Sequence, residues 1–145
     1  MDENQYRQTY QQINAQPCVF ERAILRRCAV CHHAQRLNIA EREAVSCQSE
    51  TDRPSCQQFL ELMHHKSLFA IKTENPDEPL PFGKEIKIQC GALYGLQAEL
   101  AAETPIDISL ALGDAVGKYG GLDALPFENI VREVTAFKTR RPRKG

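Results

Sequence analysis

Residues 18–56 read CVFERAILRRCAVCHHAQRLNIAEREAVSCQSETDRPSC, and five cysteines, Cys18, Cys28, Cys31, Cys47 and Cys56, fall within these 39 positions. The rest of the composition is ordinary, 42% hydrophobic and 26% charged, so this local density points to a disulfide scaffold or a metal site. Phe20, Ala23, Ile24, Cys28 and Cys31 recur at helical spacing and predict one helix face. Asn38 followed by Glu41 has the pattern of a capping box and predicts a helix from Ile39 to about Cys47, with Ala40, Ala44 and Cys47 on a common face. Ser55 and Gln58 repeat that pattern. They predict a helix that opens at Cys56 and runs through Phe59, Leu62, Met63 and Lys66 toward Phe69.

Outward from this stretch, residues 1–16 form a polar leader, with Tyr6, Tyr10 and Ile13 on a short helix. Residues 17–74 form the cysteine-rich helical metal-binding region. Pro76, Pro79 and Pro81, with Gly83 behind them, make the internal boundary. Residues 75–137 follow as a helical C-terminal region packed on the first, and 138–145 as a basic tail. At 145 residues, the whole is expected to be a single domain with a real core. Ile86, Ile88 and Cys90 alternate with Lys87 and Gln89, which predicts a short strand ended by Gly91 and paired with Leu68–Thr73. Helices are expected around Leu93–Leu100, from an Asp107 cap to about Lys118, and along the amphipathic positions Phe127, Ile130, Val131, Val134 and Phe137. The expected fold is mostly α: a small helical domain with a Cys-ligated metal site and at most one short β-hairpin.

The first sixteen residues lack the basic start and apolar run of a secretory signal. No apolar run approaches the roughly 18 residues of a membrane helix. A cytoplasmic location is therefore expected. In a reducing compartment, clustered cysteines serve as metal ligands or redox centres more often than as structural disulfides.

The spacing is Cys18-x9-Cys28-x2-Cys31-x15-Cys47-x8-Cys56. A Cys-x2-Cys pair on one turn sends two thiolates to one metal, and cysteines from elsewhere complete a four-sulfur site. Cys28 and Cys31 are thus the expected anchors. Cys47 closes one expected helix, and Cys56 opens the next at its first position, where unpaired N–H groups and the dipole favour a thiolate; Cys18 competes as a fourth ligand. Arg22, Arg26, Arg27, Arg36, Arg42 and Arg53 lie among them in sequence and would suit an anionic cluster. One CxxC with single cysteines around it fits the paired knuckles of zinc modules poorly. It suits an iron–sulfur cluster better, 4Fe–4S foremost, with zinc as the alternative.

The order of an isolated Cys, a CxxC and a later Cys loosely resembles that of WhiB-like iron–sulfur regulators, with a much longer spacing to Cys47 and Cys56 here. Cys28–His32 also matches the haem attachment pattern CxxCH, but the missing export signal argues against haem. His32 and His33 stand in reserve as ligands. Cys90 is expected to be a core residue. His64 and His65 are adjacent on a helix and diverge by about 100°, so they do not share an ion.

Acidic residues dominate positions 74–137, while 138–145 (KTRRPRKG) carries only basic charge. These surfaces suit a redox or regulatory protein partner. Nucleic acid is a secondary candidate through the tail, which lacks the interleaved aromatics of a base-reading module. No zinc-protease helix, phosphate loop or nucleophile elbow occurs, so turnover of a substrate is not the favoured reading. The sequence thus reads as a small iron–sulfur protein acting in electron transfer or in redox or oxygen sensing. The alternative is a zinc-stabilised adaptor or nucleic-acid-binding regulatory module.

Overall fold

A computed structural model describes residues 2–71 and 81–138. Helices α1 (Glu3–Ile13) and α2 (Glu21–Leu25) lead into strand β1 (Ala29–Val30), the strands β2 (Ala34–Ile39) and β3 (Arg42–Cys47), and helix α3 (Arg53–Lys66). The second half holds α4 (Phe82–Leu100), β4 (Ile106–Asp107), α5 (Ile108–Tyr119), a 3-10 turn at Leu122–Ala124 and α6 (Phe127–Ala136). The chain is mostly α, as expected. Its β structure is an antiparallel hairpin of β2 with β3 and a two-residue parallel pairing of β1 with β4.

The core is built on α4. Ile86, Ile88, Cys90, Ala92, Leu93 and Leu96 are all buried, and Gln89 and Gly91 with them. A helix covered on every side carries apolar residues on every face. This is why the alternation of Ile86, Ile88 and Cys90, expected to be a strand, belongs to a helix instead. Helix α6 crosses α4 at Gly91 and Gly95, where the backbones nearly touch. A Cβ on Gly91 would stand 2.4 Å from the Cα of Val134, and one on Gly95 would stand 2.9 Å from the Cα of Ile130. Ile130 and Val134, the buried stripe of α6, fill the contact. The Lys87 ammonium closes the far end of α6, donating to the carbonyls of Thr135 and Phe137 at 2.9 and 2.7 Å. Phe20, Phe59, Met63, Ile108 and Leu122 from the other elements join the same continuous core.

The first half departs most from expectation. Residues 39–47 form the hairpin, with Ile39 opposite Arg42 and Ala34 opposite Cys47, where a helix was predicted. The turn between them is only Ala40-Glu41, and Ala40 takes φ +57. The helix after Val19 is also short. It stops at Leu25, and Arg27 turns into the left-handed region at φ +66. Residues 29–30 are therefore extended. Leu68–Ile71 forms turns, and the rest of its predicted strand, with Pro76 and Pro79, lies outside the described residues.

Helix α1 begins with a capping box. The Asp2 carboxylate accepts from Gln5 N at 2.8 Å, and Gln5 Oε1 accepts from Asp2 N at 3.3 Å. None of its residues is buried. It is held on the hairpin by Arg42, which pairs with Glu3 and stacks its guanidinium 4.4 Å from the centre of the Tyr6 ring. Beyond Lys138, the basic tail lies outside the described residues. Within them, no helix is long and apolar enough to cross a membrane.

Candidate metal centre

Four of the six cysteines come together, each delivered by a different piece of local structure. Residues 16–18 lie along β3: Cys18 N donates to Val45 O at 3.0 Å, and Cys47 N donates to Gln16 O at 2.8 Å. This pairing sets Cys18 beside Cys47, which ends β3. Cys31 follows β1 and enters the turn to β2, with Ala34 N donating to its carbonyl at 3.0 Å. Cys56 lies in the first turn of α3. That helix starts at Arg53, with Pro54 in its opening positions, three residues earlier than the Ser55 cap predicts. Proline suits those positions because their N–H groups have no intrahelical partner.

The sulfurs of Cys18, Cys31, Cys47 and Cys56 line one cavity with Val19, Phe20, Ala34, Arg53 and Ile108. Its volume is about 20 Å³. All four cysteines carry free thiols and are half-buried.

Burial dominates the electrostatics of the quartet. Burial pushes the thiols of Cys18 and Cys56 up to about 12, and it raises Cys31 as well. Each of these three is raised further by the charge of its neighbours in the quartet. Backbone N–H groups pull the other way: that of Phe20 favours the Cys18 thiolate, and those of His33 and Ser109 favour Cys31. Ser109 lies in the first turn of α5, so an N–H with no partner inside the helix is spent on a sulfur. Cys47 Sγ donates to Ser49 O at 3.4 Å. A bound cation would offset the burial that, more than the repulsion between neighbours, keeps these thiols protonated.

A polar clasp joins the two helix starts above the cavity. Asp52 Oδ2, just before α3, lies 2.8 Å from His33 Nε2 and accepts from Ser109 Oγ at 2.9 Å. The Ser109 hydroxyl and then His33 hold the Asp52 carboxyl below its ordinary range. Beside it, Asp107 caps α5 by accepting from Leu110 N at 3.2 Å and also accepts from His32 N at 2.9 Å. The sulfur of Cys31, a His32 ring nitrogen and an Asp107 oxygen lie within 4.8 Å of one another. This makes His32 and Asp107 candidate non-cysteine ligands beside Cys31.

Cys28, expected to be an anchor with Cys31, stands apart. It forms a disulfide with Cys90 across 62 positions of sequence, with a Cα–Cα separation of 5.7 Å. The cause is backbone conformation. Two cysteines separated by two residues meet at one metal only across a turn, and three steps of extended chain cover about 10 Å. With α2 ended at Leu25 and residues 29–30 in a strand, Cys28 goes into the core while Cys31 goes to the cavity. The likeness to the WhiB-like order, which rests on an intact CxxC pair, is divided with it. Cys90 is fully buried, as expected of a core residue, but it is bonded. Its burial in the core limits attack by thiols.

The expected ring of arginines is not at the site either. Of the six, only Arg53 lines the cavity, and its Nε donates to Pro17 O at 2.9 Å. Arg36 pairs with Glu43 at 2.7 Å, while Arg22, Arg26 and Arg42 line a separate groove beside α1. The supporting residues that sequence reasoning missed are Asp52, Asp107, Ser109 and Ile108. Asp107 was legible as a helix cap, but nothing local links its helix to the cysteines. No protein-family model, curated protein or solved structure matches this chain, so the reading of the site rests on its own geometry.

Proposed function

We propose that Cys18, Cys31, Cys47 and Cys56 hold an iron–sulfur cluster, foremost of the 4Fe–4S type, and that the protein acts in electron transfer or redox sensing. The observation that supports this reading is the arrangement of four free thiols, delivered by four separate segments, around one void. Ligands arriving from several directions suit a multi-iron core. Cysteine-held clusters supply one-electron chemistry, with a potential set by N–H···S bonds, burial and charge. The residues that would set it here are the N–H groups of Phe20, His33 and Ser109, the Arg53 side chain, and the apolar wall of Val19, Phe20 and Ile108. Membership of Cys28 in the ligand set is not part of this proposal.

The test is to purify the full chain without oxygen. The expected product is brown, carries about four irons and four sulfides per chain, and bleaches with dithionite. A colourless chain holding about one zinc would overturn the reading and favour the zinc-stabilised adaptor.

A further inference from the structure

The groove that opens beside Cys56 is lined by His32, Asp52, Ser55, Ser109 and the outer face of α5, and has a volume of about 490 Å³. We infer that it is the docking surface for a one-electron carrier protein whose own cofactor edge is ringed by basic residues. This inference rests on the cluster reading above and names the partner of that site.

Three observations carry it. First, the groove and the thiol cavity share a wall. Cys56 lines both, so a partner seated in the groove lies against a proposed cluster ligand.

Second, α5 presents apolar surface there that the fold does not use. Its inner face is buried through Ile108, Ala111, Leu112 and Ala115, yet Leu110 is 60% exposed and Val116 41%. Gly113, between them, leaves open space where a side chain would stand. A flat apolar centre with a polar rim is the usual anatomy of a protein contact.

Third, the charge at the groove is of one sign. Asp52 and Asp114 lie on it and no Lys or Arg does. The larger groove beside α1 carries Arg7, Arg22, Arg26 and Arg42 against Glu3, Glu21 and Glu43, and none of the four thiols lines it. Uncompensated acidic charge therefore favours a basic partner on the side where the thiols are.

The test uses the full chain, reconstituted and reduced without oxygen, with cytochrome c as a basic one-electron acceptor in stopped flow. The rate constant should fall about tenfold from low to high ionic strength. Asp114→Lys should lower the low-salt rate about tenfold and flatten the salt dependence. Leu110→Ser should lower it several-fold at every salt concentration, and both variants should keep the cluster's absorption and midpoint potential. Glu128→Lys makes the same charge change on α6, away from the groove, and should leave the rate within twofold. Unchanged rates in Asp114→Lys and Leu110→Ser with an intact cluster would overturn this inference alone. Absence of any cluster absorption would overturn the cluster reading and this inference with it.

Discussion

The two sets of cysteines in this chain are the same chemical group put to opposite uses. Cys28 and Cys90 are buried in the core, bonded to each other, and join the first half to α4. Cys18, Cys31, Cys47 and Cys56 are half-buried and free at a shared void, and backbone N–H groups point at two of them, Cys18 and Cys31. The difference does not come from the residues adjacent in sequence, because Cys28 and Cys31 share them. It comes from what surrounds each sulfur in space: apolar side chains in one case, helix starts and like-charged thiols in the other.

Replacing cysteines one at a time gives the sharpest division. Serine at any of positions 18, 31, 47 or 56 should abolish the visible absorption of the anaerobically purified protein. Serine at 28 and 90 together should leave it intact. Loss of colour in the double variant, with secondary structure retained, would put Cys28 back in the ligand set.

The converse holds for stability. Removing the Cys28–Cys90 bond frees a loop spanning 62 positions, which should cost about 4 kcal/mol by chain entropy. Denaturant unfolding of the metal-free protein, with and without reductant, measures it. A change well under 1 kcal/mol would show that the bond does not restrain the fold. On the same side of the molecule, Gly91→Ala should cost about 3 kcal/mol, because the added carbon meets the backbone of Val134 and cannot be relieved by a rotamer change. Its effect should be on the unfolding midpoint and not on cluster content.

The smallest expected effect is on acid stability. Glu85 lies one turn before Gln89 on α4. Burial would raise its carboxyl pKa, but bonds from His64, at 2.9 Å, and Gln89, at 2.8 Å, outweigh it and hold the pKa below the ordinary value. A depressed folded-state pKa gives stability that is present above the unfolded value and lost as pH falls through the folded one. Unfolding midpoints of the parent should therefore drop as pH falls below about 4.5, and Glu85→Gln should remove part of that drop. Identical acid profiles for the two would refute it.

The second half of the fold was the more legible in sequence. Asp107 caps α5 as predicted, accepting from Leu110 N, and Ile130 and Val134 form the buried stripe of α6. Both signals are local. The hairpin was hidden because its turn is Ala40-Glu41, with no Gly or Asn to mark the positive φ that Ala40 adopts. In its place, Asn38 and Glu41 imitate a helix start. At the site, four of the five expected ligands converge. The fifth, Cys28, stands apart beside Cys90, because bringing Cys28 and Cys31 together needs a turn and the left-handed residue Arg27 leads the chain into a strand. The support from Ser109 could not be read, since it depends on a contact between distant parts of the chain.

That contact gives the site a place in the order of folding. The parallel pairing of β1 with β4 is only two residues long, yet it joins segments on either side of the proline-rich connection. Contacts this distant in sequence close late, because the intervening chain must lose its freedom first. Full protection of the site therefore marks the end of folding, and a chain interrupted before residue 106 would present its thiols to solvent and oxidants without the wall that α5 supplies.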